Sequence, residues 1–281
     1  MGDRTHADRA LLFRSYHQRG VLVLPNAWDA ASAAVIAAAG ARAVATTSAG
    51  VSWALGRPDG HGLSRAEMAK GVERIAAAVT IPVTADIESA YGPSPDDAAA
   101  TVRAVLAAGA VGINLEDSAG PGGPEPLLPV AAQAARIRAA REAAAAGGLP
   151  DLFVNARTDV YLLPEFSGDR LDEVRRRAEA YAAAGADGLF VPGLLDLAAL
   201  ELLAKATPLP INVMAVPGGP SVAEFQSSGA RRISAGAGIA QAAYALARRA
   251  ATELLTAGTY DSWRDGVGYG ELNGMLSPGG R

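Results

Sequence analysis

Three short segments place acids and an arginine directly after apolar runs. VTADIESAYG, Val83 to Gly92, delivers Asp86 and Glu88; GINLEDS, Gly112 to Ser118, delivers Glu116 and Asp117; VNARTDVYL, Val154 to Leu162, delivers Asn155, Arg157 and Asp159. Carboxylates are seldom left at the end of an apolar strand unless something there needs negative charge. Crowded acids repel strongly without a compensating cation. With oxygen donors and no cysteine anywhere in the chain, the fitting cation is hard: Mg²⁺, with Mn²⁺ as the alternative. Such an ion keeps several waters and takes only one or two protein carboxylates. Arg157 offers a planar fork for a substrate carboxylate or phosphonate. The competing reading is structural, with the acids paired to arginines or capping helices, and it stays open for Asp117 and Asp159 in particular.

These groups need elements that bring them together. Eight β-branched runs alternate with Ala-rich helical stretches: Val21–Leu24, Ala43–Thr46, Val83–Ala85, Gly112–Leu115, Leu152–Asn155, Gly188–Val191, Ile211–Val213 and Arg232–Ser234. The tetrapeptide AAGA precedes the second, fourth and sixth of them and reads as a helix-ending glycine leading into a strand. The alternation predicts an α/β fold, a (β/α)8 TIM barrel with an extra N-terminal helix, spanning residues 1–281 as one domain, with about 240–281 as a C-terminal helical extension. A doubly wound open sheet is the alternative. It calls for a Gly-rich fingerprint after the first strand, where the chain instead has PNAWD. In a barrel the chemistry sits at the C-terminal strand ends. Those ends carry Ser48, Ala49 and Gly50 with a loop to Asp59 and His61, then Asp86 and Glu88, Glu116 and Asp117, Arg157, Asn212, and Ser234.

The bulk properties narrow the partners. A net charge of −4 without a basic run argues against nucleic acid. The absence of cysteine excludes disulfides and thiolate chemistry. No uncharged apolar run is long enough to span a membrane, and the charged N-terminus has no apolar core of a secretory signal, so a cytoplasmic protein is expected. His6 and His17 are expected to face solvent on the N-terminal helix, and His61 to lie near the site or on the surface.

The runs PNAWDAASA, ATTSAGVSWALGRPDG, ADIESAYG, GINLEDS, VNARTDVYL and GADGLFVPG, in this order from about residue 20 to 245, resemble the isocitrate lyase/phosphoenolpyruvate mutase superfamily. The resemblance implies that Asp86 is the direct Mg²⁺ ligand, with Glu88 and Glu116 reaching the ion through water. It implies that Ser48, Ala49 and Gly50 hold a substrate carboxylate, that Asp59 sits near metal and substrate, that Arg157 faces the substrate and that Asn212 contacts it. Lyases of the superfamily carry a Lys/Arg-Cys-Gly-His lid after the fourth strand. Here the lid is SAGPGGPEPLLP, Ser118 to Pro129, whose sole titratable group is Glu125, and Gly193 stands where many lyases have a glutamate.

The expected activity is therefore that of a Mg²⁺-dependent lyase. It would act on a carbon–carbon bond of a small 2-hydroxy- or 2-oxo-dicarboxylate through a metal-stabilised enolate, with oxo-acid decarboxylation as a variant. Asp59, Arg157 and Glu116 are the expected catalytic residues; Glu125, Tyr91 or a metal-bound water are the candidates for proton donor. Phosphonopyruvate-type P–C bond mutase or hydrolase chemistry and a non-catalytic oxo-acid-binding barrel are the alternatives. Relatives also imply a homo-oligomer, a dimer or tetramer with the C-terminal helix swapped between subunits, and the Ala-rich segment Gly238–Ala257 suits that role.

Overall fold

The first barrel strand is cut in two by Pro25, which has no N–H to give to a ladder. Its halves are β1 (Leu22–Leu24) and β2 (Asn26–Ala27). A computed structural model describes residues 5–60, 62–120 and 125–277 of the chain. The remaining strands are β3 (Val44–Thr46), β4 (Val83–Asp86), β5 (Gly112–Glu116), β6 (Phe153–Arg157), β7 (Gly188–Phe190), β8 (Ile211–Met214) and β9 (Ala230–Ser234), all parallel. β1 pairs with β9 and β2 with β3, and Ala45 N–H donates to Pro25 O at 3.1 Å across the break. The sheet order β1-β9-β8-β7-β6-β5-β4-β3-β2 thus returns to its start through one proline. This is the (β/α)8 barrel that the alternation predicts.

Helices α1 (His6–Ser15), α2 (Ala30–Ala38), α3 (Ser48–Ala54), α4 (Arg65–Ala77), α5 (Pro95–Ala107), α6 (Val130–Ala146), α7 (Arg170–Ala183), α8 (Leu197–Ala206), α9 (Val222–Ser227), α10 (Gly238–Thr256) and α11 (Tyr269–Leu276) complete the described elements, with short 3₁₀ turns at Val160–Leu162 and Asp261–Trp263. Their starts follow the sequence: Asp29, Ser64, Ser94 and Ser221 each close a capping box with the residue three positions on. Their stops follow it too. In all three AAGA segments the glycine has positive φ, 93° at Gly40, 91° at Gly109 and 96° at Gly185. The next alanine then bonds five residues back, as Ala110 N–H does to Val105 O at 3.0 Å, the Schellman stop that only glycine makes without strain. α3 is unexpected. Thr47 is extended and Ser48–Ala54, read from sequence as a loop of small residues, coils into a helix.

α1 closes the bottom of the barrel, and His17, just past its end, is buried against it. Phe13 and Phe153 meet edge-on at 5.6 Å, and the His17 ring stacks on Phe153 at 4.0 Å. The expectation of a solvent-facing His17 is therefore corrected: an amphipathic helix over an open barrel end turns its ring-bearing face inward. His6 is half-buried, its Nε2 2.9 Å from Ala110 O. Burial first, then Arg232, pushes the His17 pKa from 6.5 down to about 3. The unfolded chain then binds a proton that the folded chain refuses, so the folded state loses stability as pH falls below about 6.5, by about 2 kcal/mol between pH 7 and 5. Urea unfolding at both pH values should show that loss, and His17→Phe, which keeps the stack, should reduce it. Equal losses in the two proteins would contradict this. Among the described residues no helix is long and apolar enough to cross a membrane.

Candidate active site

A cavity of about 300 Å³ opens at the C-terminal ends of the strands. Asp59, Asp86, Asn114 and Arg157 all line it, with Ser48 and Ala49 at the start of α3. A larger cleft of about 410 Å³ lies on the flank among α2, α3 and α4. It carries Arg57, Lys70 and Arg74 but none of the strand-end acids, so the chemistry belongs to the mouth.

Asp86 ends β4. Its N–H donates to Thr46 Oγ1 at 2.9 Å, and its Oδ2 accepts from Ser48 N–H at 3.3 Å and Ser48 Oγ at 3.0 Å. Ser48 is thus directed at Asp86. Ala49 lines the cavity, whereas Gly50 packs behind it: a Cβ there would stand 2.7 Å from Trp28 Cβ and 2.8 Å from Thr47 Cγ2. Asp86 Oδ1 is buried and has no hydrogen-bond partner among the described residues. A carboxylate oxygen so placed is costly unless a cation or a donor meets it.

The chain then makes a tight loop in which Glu88, Ala90 and Tyr91 all adopt positive φ, 49°, 63° and 57°, a conformation that costs non-glycine residues energy. The loop is held from beneath. Buried Arg136 on α6 donates to Ser89 O and Gly92 O, and Thr101 Oγ1 donates to Ala90 O at 2.8 Å. Tyr91 OH donates to Glu88 Oε1 at 3.0 Å. Burial, followed by Glu88, raises the Tyr91 pKa beyond the usual phenol range, so the phenol keeps its proton.

On the far side Glu116 and Arg157 end adjacent strands in register. Arg157 Nη1 lies 2.9 Å from Glu116 Oε2, and its Nε and Nη2 fork onto Asp159 at 2.6 and 2.9 Å. Burial pushes the Glu116 pKa to about 8 against the pull of Arg157, with Asp159, Asp86 and Glu88 adding to the rise. Asp117 is wholly buried and structural. It takes Arg177 Nη1 and Tyr181 OH, each at 2.8 Å on Oδ2, and Asp159 N–H at 3.0 Å on Oδ1. The same Arg177 donates to Leu128 O at 3.1 Å, and Leu128 N–H to Asp117 O at 2.8 Å, which anchors the C-terminal end of the lid.

Asn212 stands below the mouth, fully buried. It accepts from Asn155 Nδ2 at 3.1 Å and donates to Ser234 Oγ at 3.2 Å, inside a polar layer with Asn114 and Arg232. Buried Arg232 donates to Asn114 Oδ1 at 3.1 Å, and burial lowers its pKa to about 9. Sequence reading missed both interior arginines, Arg136 and Arg232. The signal for Arg232 was its period-two alternation with inward-facing Ser234. Asp59 is exposed at the rim, Glu125 is exposed on the lid and does not line the cavity, and His61 lies outside the described residues.

The donor set fits a hard divalent ion. Among the described residues no three His, Cys, Asp or Glu side chains converge as a ready-made cage, but Mg²⁺ needs only one or two direct carboxylates with water filling the rest. The buried, unpartnered Asp86 Oδ1 supplies that direct oxygen.

With this geometry, the matches to known proteins are consistent. The phosphoenolpyruvate phosphomutase family model matches residues 13–255. The chain belongs to the phosphoenolpyruvate mutase/isocitrate lyase superfamily. An uncharacterised protein of Mycobacterium tuberculosis is 39% identical over 243 residues, covering 83% of this chain and 86% of that one. An oxaloacetate decarboxylase of Rhodopseudomonas palustris is 34% identical, covering 79% and 73%. A crystal structure of a candidate phosphonomutase from Burkholderia cenocepacia is 45% identical with a TM-score of 0.82, covering 91% and 100%. The lid of this chain, Ser118 to Pro129, carries no cysteine, lysine or histidine. Its ends are pinned where Ser118 bridges Leu127 and Ala119 N–H donates to Pro126 O at 3.0 Å.

Proposed function

We propose that the protein is a Mg²⁺-dependent lyase that acts on a carbon–carbon bond of a small 2-oxo- or 2-hydroxy-dicarboxylate, with decarboxylation of an oxo-diacid as the simplest case. The observation that carries this reading is Asp86 Oδ1, a buried carboxylate oxygen without a partner among the described residues, at the head of a cavity lined also by Arg157. The 34% identity to an oxaloacetate decarboxylase supports it.

Asp86 would hold the metal directly, with Glu88 and Glu116 taking metal-bound water. The ion, when bound, supplies Lewis-acid polarisation of the 2-oxo group. Arg157, already fixed on two sides by Glu116 and Asp159, binds the substrate carboxylate through its remaining N–H groups and so fixes the reacting bond. Asp59 stands at the rim, where a closing loop would bring it over the substrate. Tyr91, protonated and bonded to Glu88, steadies that carboxylate. Decarboxylation asks for no strong base in the lid, which agrees with a lid whose one titratable group, Glu125, is exposed and does not line the cavity.

α10 supports the assembly expected from sequence. Of its 19 residues only Ala240 is buried, and Tyr244, Leu246, Leu254 and Leu255 are exposed. An apolar face of this kind suits a helix exchanged between subunits.

Oxaloacetate and phosphonopyruvate, each incubated with Mg²⁺ with and without protein and assayed for pyruvate and phosphoenolpyruvate, test the function. Pyruvate release from oxaloacetate faster than Mg²⁺ alone produces, and stopped by a chelator, is expected. Turnover of phosphonopyruvate alone, to either product, would transfer the site to P–C bond chemistry, and turnover of neither would leave an oxo-acid-binding barrel.

A further inference from the structure

Arg136 lies on α6 and is only 1% exposed. Its hydrogen bonds among the described residues all go to neutral oxygens: Ser89 O, Gly92 O at 3.3 Å and Gln133 Oε1 at 3.2 Å. Its Nε is buried and has no partner among those residues. Burial works against its charge, and Glu116 leads the acids that favour it through space. A guanidinium buried without a carboxylate beside it is costly, so its place calls for an explanation.

The oxygens that Arg136 reaches flank the two acids next to Asp86. Ser89 follows Glu88. Gln133, which accepts from Arg136 Nη1, donates through Nε2 at 3.2 Å to Leu115 O, the carbonyl just before Glu116. Glu116 N–H in turn donates to Glu88 O at 3.1 Å. The two acidic residues are therefore joined through the backbone and gripped on either side from a single guanidinium. The loop needs such a grip. Glu88, Ala90 and Tyr91 all have positive φ, which residues with a Cβ keep only where their surroundings over-determine it. Thr101 reaches Ala90 O, and Arg136 spans the carbonyls on both sides of it.

We propose that Arg136 is a positioning residue for the metal site, a fork that sets the spacing of Glu88 and Glu116 through the carbonyls beside them. This rests on the reading of those acids as holders of metal-bound water. Mg²⁺ demands near-ideal octahedral geometry, so acids that meet it through water must stand at the right separation. Groups that orient ligands from outside commonly account for about ten- to a hundredfold in metal affinity. Lysine cannot replace this fork, because one ammonium is a point charge and cannot span three acceptors in a plane.

The test titrates Mn²⁺ into intact protein and follows the free ion by electron paramagnetic resonance, beside a thermal melt without metal. Arg136→Met should raise the Kd by about tenfold or more with one ion still bound per chain at saturation. Arg136→Lys, which keeps the charge but not the fork, should lose nearly as much. Arg138→Met, at an exposed position on the same helix, should bind as wild type does. Gln133→Leu cuts only the arm to Leu115 O and should shift the Kd in the same direction; it decides the matter if neither Arg136 variant folds. Lower melting temperatures with an unchanged Kd would make Arg136 a structural residue and overturn the inference. Tighter binding in Arg136→Met, or full rescue by lysine, would assign its effect to charge and overturn it too. Each of these outcomes leaves the metal site standing, whereas a wild-type protein that binds no Mn²⁺ would overturn both.

Discussion

Asp86→Asn should leave a folded barrel whose Mg²⁺-dependent turnover is lower by about a thousandfold. The substitution keeps the size of the side chain and an oxygen for Ser48, whose N–H and Oγ lie 3.3 and 3.0 Å from Oδ2. It removes the charge from the one buried carboxylate oxygen in the mouth that lacks a partner among the described residues. An amide is a poor ligand for a hard cation that prefers charged oxygen. Folding should be little affected, because removing a charge from an acid-crowded mouth relieves repulsion. Excess Mg²⁺ should recover only part of the activity. Steady-state rates across a Mg²⁺ titration, beside a thermal melt, measure both effects, and turnover within tenfold of wild type at saturating metal would remove Asp86 from the metal site.

The largest expected loss of stability comes from Arg177→Met. Asp117 is fully buried, and Arg177, with a side chain only 6% exposed, is its partner cation at 2.8 Å. Burial alone pushes the Asp117 pKa up, and Arg177 opposes that rise. Removing the guanidinium leaves an uncompensated buried charge, a loss of about 3–5 kcal/mol. Activity should fall as well, since Asp117 accepts from Asp159 N–H and Asp159 forks onto Arg157. The neighbour Arg176 is the control. It also pairs with Glu173, at 2.7 Å, but its side chain is 60% exposed, so Arg176→Met should change stability by less than about 1 kcal/mol. Urea unfolding of the two variants separates them, and equal destabilisation would show that burial does not govern the difference.

The barrel is legible in the chain because its signals are local. A β-branched run, a capping serine or aspartate and an AAGA stop each act within a few residues, and their repetition gives the topology. Asp86 is legible for the same reason, as an acid ending an apolar strand with no nearby cation in sequence. What escapes is set by distant partners. Arg136 reads as one more polar residue on an Ala-rich helix until it is seen beneath the positive-φ loop, 44 residues from Gly92. Arg232 reads as the edge of a strand until Asn114, 118 residues away, is seen to accept its hydrogen bond. His17 reads as a surface residue because nothing local reveals that Phe153 lies over it. The apolar side of the mouth escapes as well, because Leu162 lies in the turn after β6 while Phe190 and Met214 end β7 and β8, and one at a time they look like ordinary apolar residues.

The central claim is that the mouth of the barrel holds a divalent cation on Asp86. Titration with Mn²⁺, followed by electron paramagnetic resonance of the free ion, tests it most directly. Saturable binding of a single ion per chain, competed by Mg²⁺ and lost in Asp86→Asn, is the expected result. A wild-type protein that leaves all the Mn²⁺ free, or a variant that binds it as well as wild type does, would contradict it.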